Sequence, residues 1–275
     1  PLSEKQIREF AASVDSVVVI EELDGVIENF CRSLGIQVTG KDVLPLCGEY
    51  SQELLREKLL GEEPCTVSVA DEIPVRPPVL CPGCPHRGVF YTLKKMGLTV
   101  SGDIGCYTLG AVAPLSAMDT TLCMGASISA LHGFNKVRGD DSRSVAVIGD
   151  STFMHSGMTG LVNIIYNGGA STVIILDNRI TGMTGHQQNP LTGLTLKNQP
   201  APYICLEDIC AGLGVAREHI RVVDPAQPAE LEKVLKEELA ADAASVVICR
   251  RPCALLKGVE KKPPLRVDRE KCRGC

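Results

Sequence analysis

The chain has 275 residues, with 28 Lys+Arg against 33 Asp+Glu and a formal charge of −5. Its 44% hydrophobic content is ample for a buried core, and the mildly acidic balance without a sustained Lys/Arg block excludes the electrostatic footprint of a nucleic-acid binder. The longest apolar runs, such as 17–20 and 173–176, fall far below the roughly 18 residues of a membrane span, and the opening PLSEKQ has no signal-peptide pattern. The expectation is a soluble, cytoplasmic protein of about two domains.

In chain order, the spacing predicts a short helix over 3–12, with Ser3 and Gln6 in capping-box spacing. A buried strand is expected over 16–20 and a helix from about 24 to 34. A weak βα pattern then leads to a helix near 49–60. The Pro-rich crossing at Pro64 and residues 73–78 disfavours regular structure and marks a domain boundary, giving a first α/β unit over 1–72. Beyond residue 79, helices over 88–96, 124–136, 153–167 and 228–240 alternate with strands over 98–100, 144–148, 172–176 and 245–249. This is the rhythm of an α/β fold with a doubly wound parallel sheet, placed over 73–258. Continuously apolar strands at 145–148 and 173–176 fit a sheet covered on both faces. Residues 179–201 form a long Gly/Thr/Asn/Gln-rich segment without periodicity, a length typical of functional loops. A charged, Pro-containing linker begins at 257, so 259–275 is set apart.

The sequence carries 13 Cys and no Trp, without a secretion signal. Reduced thiols, some of them metal ligands, fit this better than disulfides. Pro1 is not an initiator Met and the chain stops on Cys272-Arg-Gly-Cys275, half of a ligand motif, so a fragment of a longer protein is expected.

Gly149-Asp150-Ser151 stands where a predicted strand gives way to a helix, the place where an open α/β sheet collects ligands and a helix offers free N–H groups to phosphate. Alone, Gly-Asp is an ordinary turn. However, 28 residues after Asp150 comes Asn178, in Asp177-Asn178-Arg179-Ile180-Thr181-Gly182-Met183-Thr184. A β-α-β path returns Asn178 to the same sheet edge. An Asp carboxylate, an Asn amide oxygen and the Ile180 carbonyl are hard oxygen ligands suited to Mg²⁺, and the Thr/Gly run can wrap phosphate oxygens. This stretch resembles the thiamine-diphosphate-binding motif, which begins Gly-Asp and ends Asn-Asn. Asp177 departs from the first Asn, while Asn178, the Mg²⁺ ligand the resemblance implies, is in place. The cofactor-binding set is then Gly149, Asp150, Ser151, Asn178, Ile180, Thr181, Gly182, Met183 and Thr184.

Cys81-Pro-Gly-Cys84-Pro-His86-Arg87 is a tight thiolate turn that by itself suits zinc, iron–sulfur or redox chemistry. Cys106 and Cys253, each just beyond a predicted strand, are further candidates. This pattern is similar to that of the 2-oxoacid:ferredoxin oxidoreductases, and the order of parts is most similar to the large subunits of their indolepyruvate branch. The resemblance implies a partial transketolase-C-like domain over 1–72, a thiamine domain over 73–258 and, from 259, a truncated ferredoxin-like module with Cys272 and Cys275 as ligands of a second cluster. It implies a [4Fe–4S] cluster on Cys81, Cys84, Cys106 and Cys253 beside thiamine diphosphate and Mg²⁺. The implied reaction is oxidative decarboxylation of an aryl 2-oxoacid, with coenzyme A taking the acyl group and ferredoxin the electrons, in company with a beta subunit. A non-redox thiamine-dependent decarboxylase or carboligase, and a zinc-stabilised interaction module, are the alternatives.

His86, His155 and His186 are candidate proton donors or substrate contacts, or hydrogen-bonding loop residues. His132 and His219 are read as structural or exposed, and Arg250-Arg251 as a solvated strand end. Cys31, Cys47, Cys65, Cys123, Cys205, Cys210 and Cys249 are expected to behave as small buried apolar residues.

Overall fold

The computed structural model describes residues 2–64, 72, 74–259, 263 and 266–273. The chain divides into two compact units, Pro1–Val75 and Arg76–Cys275. In the first, helix α1 (Glu4–Ala11) is capped by the Ser3 hydroxyl, which accepts from the Gln6 N–H at 3.4 Å. The carboxylate of Glu21 accepts from the N–H groups of Ile27 and Glu28, both at 2.9 Å, and so caps α2 (Val26–Ser33). Helix α3 (Gln52–Leu55) continues into a π-helical turn, Arg56–Leu60. The strand expected over 16–20 is reduced to a single parallel bridge between Val18 and Thr39. Val19 is buried but Val18 and Ile20 are exposed, because among the described residues this segment has no further ladder to join.

The second unit holds a five-stranded, wholly parallel sheet in the order β1-β2-β3-β5-β4. Its strands are β1 (Thr99–Gly102), β2 (Ser144–Gly149), β3 (Thr172–Asp177), β4 (Ile220–Val223) and β5 (Ser245–Arg250). The helices are α4 (His86–Met96), α5 (Ala126–Arg138), α6 (Asp150–Thr152), α7 (Met158–Tyr166), α8 (Leu206–Gly212) and α9 (Pro228–Leu239). A π-helical turn, Phe153–Gly157, joins α6 to α7, so the single helix expected over 153–167 begins at Asp150 and is interrupted.

Strand periodicity builds a core on each face. Val145, Val147, Ile174, Leu176, Val247 and Cys249 point to one face and pack with Phe90 and Leu93 of α4 and Leu231 and Leu235 of α9. Ala146, Ile148, Val173, Ile175, Val246 and Ile248 point to the other and meet Ile128 and Leu131 of α5, Leu161 and Ile164 of α7, and Leu206 and Cys210 of α8. The chain moves outward from β1 to β4 with its connecting helices on one face. It then steps back to β5 with α9 on the opposite face, as right-handed crossovers require. Short α8 and the four-residue edge strand β4 complete the sheet beyond the elements predicted from sequence. No helix among the described residues is long and apolar enough to cross a membrane.

Candidate functional site

Parallel strands deliver their carboxyl ends to one edge. β2 ends at Gly149 and β3 at Asp177, and the register Gly149–Leu176 sets Asp150 beside Asp177 with Asn178 one residue further out. Gly149, Asp150, Ser151, Asn178, Ile180, Thr181, Gly182, Met183 and Thr184 all line one cavity of about 270 Å³ at this edge. The glycine at 149 has a steric cause: a Cβ there would stand 2.6 Å from Cε1 of Tyr107. Tyr107, buried and donating to the Ile104 carbonyl at 2.9 Å, forms part of the wall.

Asp150 is buried. Its Oδ1 accepts from the Ser151 N–H at 2.7 Å and its Oδ2 from the Arg179 N–H at 3.2 Å. Burial pushes its carboxyl up to about 7, and the charge of Asp177 adds to the effect. Asn178 is buried as well, with Oδ1 accepting from the Ile180 N–H at 3.2 Å and Nδ2 lying 3.4 Å from Nε2 of His86. The Thr181 hydroxyl donates to the Ser151 hydroxyl at 2.8 Å, joining the loop after β3 to the helix after β2. The structure therefore brings the acid at 150 and the amide at 178 to one cavity wall.

Asp177 is held by charge. Its Oδ1 lies 3.2 Å from Nε of Arg179, and its Oδ2 accepts from Nε of Arg250 at 2.7 Å. The remaining Arg250 nitrogens donate to both oxygens of Glu207 at 2.8 Å each. Arg250 is thus no solvated strand end: it is the centre of an ion triad, with side-chain exposure of 25%. Arg251 in turn pairs with Asp224 through two contacts of 2.8 Å. Where the motif has Asn, the extra buried charge of Asp177 meets two guanidinium groups, those of Arg250 and Arg179.

A second cavity, of about 240 Å³, is lined by Cys81, Cys84, Cys106 and Cys253. It shares His86, Cys106, Asn178, Gly182 and Met183 with the first. The first two thiols sit on a turn closed by the Cys84 N–H donating to the Cys81 carbonyl at 3.0 Å, with Gly83 at φ +77° where a side chain would be strained. Burial pushes the Cys84 thiol up to about 11, and Cys253, Cys81 and Cys106 add repulsion. Burial is also the main cause that raises Cys106. Among the described residues no group of three or more His, Cys, Asp or Glu side chains is arranged to hold a single metal ion. Cys272 is exposed, and Cys275 lies outside the described residues, as does Cys65.

Of the histidines, His86 is buried between the two cavities, and burial lowers it to about 4, leaving a neutral imidazole. His186, exposed and at φ +60°, lines the thiol cavity, whereas exposed His155 lines neither. His132 is buried in α5, and His219 sits 2.9 Å from Glu238. Cys31, Cys210 and Cys249 are buried as expected. Cys47 and Cys123 are instead exposed, and partly exposed Cys205 donates to Glu207 at 3.2 Å.

Sequence reasoning passed over Asp103. This fully buried carboxylate accepts from the N–H groups of Ile104 (2.9 Å), Gly125 (2.8 Å) and Ser127 (3.0 Å), fastening the end of β1 to the start of α5. Its signal was present: Gly102-Asp103 after a strand repeats Gly149-Asp150.

Comparison with known proteins gives a consistent result. The chain is 38% identical over 93% of its length to indolepyruvate oxidoreductase subunit IorA of Archaeoglobus fulgidus, covering 44% of that protein. It is 36% identical over 98% of its length to the subunit of the same name from Pyrococcus horikoshii, covering 47% of it. The chain thus spans about half the length of these curated relatives. Among solved structures, its fold is similar to a 2-oxoglutarate:ferredoxin oxidoreductase from Magnetococcus marinus, with a TM-score of 0.54, 16% identity and 66% of each chain covered. The family model described as thiamine pyrophosphate enzyme, C-terminal TPP binding domain, matches residues 103–249, from the buried carboxylate after β1 to the end of β5. With the cavity edge and more than half the chain inside that match, the protein belongs to the thiamine pyrophosphate enzymes through their C-terminal cofactor-binding domain.

Proposed function

We propose that this chain is the diphosphate- and cluster-holding part of a thiamine-diphosphate-dependent oxidoreductase that decarboxylates an aryl 2-oxoacid such as indolepyruvate. In this reading residues 73–258 are the cofactor domain, 1–72 a partial transketolase-C-like unit, and 259–275 a linker into a ferredoxin-like module whose ligands include Cys272 and Cys275. The observation that carries it is the shared wall: the Asp150/Asn178 cavity and the four-thiol cavity meet at His86, Cys106 and Asn178.

The residues fit the groups. A desolvated Asp150 carboxylate raised to about 7 is stabilised in its charged form by a divalent cation, with the Asn178 amide oxygen and the Ile180 carbonyl as further hard ligands. Ser151, Thr181 and Thr184 offer hydroxyls, and Gly182 close backbone approach, for diphosphate oxygens. Cys81, Cys84, Cys106 and Cys253 all line the second cavity and would hold a [4Fe–4S] cluster, whereas among the described residues no three of them are arranged to hold a single metal ion such as zinc. Thiamine diphosphate supplies the nucleophilic carbon and electron sink for decarboxylation, and the cluster accepts electrons singly. The chain's own part is to anchor the diphosphate, exclude water from the apolar walls and keep His86 neutral beside the cavity. Of the three candidate histidines, exposed His186 on the thiol cavity is the proposed substrate-side contact, while His86 is buried in the wall between the two cavities. His155, exposed and away from both cavities, is the weakest of the three candidates.

Coenzyme A, ferredoxin and a beta subunit are the proposed co-substrate, electron acceptor and partner. The test is anaerobic purification of the full-length chain with its partner subunit, followed by assay of aryl-2-oxoacid-dependent ferredoxin reduction together with iron and sulfide analysis. Thiamine- and Mg²⁺-dependent turnover with no iron would favour a non-redox decarboxylase or carboligase. No rise in melting temperature with thiamine diphosphate and Mg²⁺ would leave only an interaction module, because a ligand bound by the native state alone must stabilise it.

A further inference from the structure

The amide of Asn178 has two possible orientations, and the surrounding network selects one. The Ile180 N–H lies 3.2 Å from Oδ1 and needs an acceptor there. The amide nitrogen is thereby turned to Nε2 of His86, 92 residues away in sequence, at 3.4 Å. For this contact Nε2 must be the unprotonated ring nitrogen, so that the amide donates and the imidazole accepts. The main chain of the same residue is also tied: the Asn178 carbonyl accepts from the Cys253 N–H at 3.0 Å, and the Asp177 carbonyl from the Arg251 N–H at 3.1 Å. The residue that presents an oxygen to the cation cavity is therefore fastened on one side to the Cys81–Cys84 turn, through His86, and on the other to the Cys253 loop.

We propose that His86 is a positioning residue. It takes the Asn178 amide N–H, keeps the amide oxygen facing the cation and couples the cation site to the thiol turn that carries it. The proposal rests on the cofactor reading above. It assigns the His of Cys81-Pro-Gly-Cys84-Pro-His86 a role distinct from substrate protonation. The helix start places it there, since His86 opens α4 directly after the turn and packs edge-on against Tyr107, with ring centroids 6.2 Å apart and planes at 87°. The imidazole is also buried. A group that orients a metal ligand in this way usually changes metal affinity 10–100-fold when removed.

The experiment compares wild type, His86→Leu and His86→Gln in the full-length protein with its partner subunit. Titration calorimetry gives the affinity for thiamine diphosphate at fixed Mg²⁺ and for Mg²⁺ at fixed thiamine diphosphate, with cofactor-free melting temperatures measured alongside. Leu removes the acceptor, whereas Gln keeps an amide oxygen within reach. The expected result is a roughly 10–100-fold loss of Mg²⁺ affinity in His86→Leu, with His86→Gln near wild type. Unchanged affinity in His86→Leu overturns the proposal, and so does an equal loss in both variants, which would mark the site as one of shape alone. Wild type that binds no thiamine diphosphate would overturn the cofactor reading itself and this inference with it.

Discussion

Asp150→Asn is expected to have opposite effects on stability and on cofactor binding. In the cofactor-free protein the carboxyl is buried and raised from 3.8 to about 7. The native state therefore holds a proton that the unfolded chain releases, and stability falls as pH rises from about 4 through about 7. At 1.36 kcal/mol per pH unit of difference, the burden at pH 8 is about 4 kcal/mol. Asn carries no charge but has one acceptor oxygen where the carboxylate uses two, for the N–H groups of Ser151 and Arg179. The lost hydrogen bond costs about 1 kcal/mol, leaving a net gain of about 3 kcal/mol. For a unit of this size that is roughly 6–12 °C in melting temperature. Melts of wild type and Asp150→Asn from pH 5 to pH 8 without cofactor should therefore diverge as pH rises, the variant melting higher at pH 8. With thiamine diphosphate and Mg²⁺ the order should reverse, because the variant gains no Mg²⁺-dependent stabilisation. A variant that melts no higher at pH 8 without cofactor would refute the burial argument. One that keeps full Mg²⁺-dependent stabilisation would refute the placement of the cation.

Arg250→Met strips Asp177 and Glu207 of their shared partner and should cost about 3–5 kcal/mol in chemical denaturation. The double variant Arg250→Met/Asp177→Asn should recover much of that loss, since the buried charge goes with its partner. The guanidinium of Arg250 holds Glu207 down at about 2, so its stabilisation is complete above pH 4.5 and fades as pH falls towards 2. Glu207→Gln should flatten the acid limb of a stability–pH curve. Gly88→Ala places a Cβ 2.1 Å from the Pro225 carbonyl oxygen, a clash with backbone that should lower stability by about 1–3 kcal/mol or more, read as a fall in melting temperature. Cys84→Ser should lower iron and sulfide content in anaerobically purified protein, whereas Cys47→Ser, at an exposed thiol in the first unit, should leave both unchanged.

Strong periodicity made the core of the second unit readable. The runs at 145–148 and 173–176 had to be strands covered on both faces, and the structure places their alternate residues in two separate cores. The helix after Asp150 and the path back to Asn178 followed from the same alternation. Weaker local signals were overridden. Residues 16–20 have strand composition, but a strand is a pairwise object, and among the described residues the segment finds only Thr39 to bridge. The edge strand β4 and the seven-residue α8 are too short for a period to show, and they exist because β5 and the second core give them surfaces to complete.

Read alone, the sequence already put the acid at 150, the amide at 178 and the thiols at 106 and 253 just beyond strand ends, and the thiols at 81 and 84 on a turn ahead of the first helix of the second unit. Motif spacing encodes position along the chain, and a parallel βαβ path converts that directly into position along one sheet edge. The tertiary structure alone decided what surrounds each group: that Asp150 is desolvated, that Arg250 turns inward to Asp177 and Glu207, that His86 reaches Asn178, and that two cavities share a wall. Burial and partner choice are set by residues distant in sequence that meet only once the layers have packed, so no local pattern could announce them.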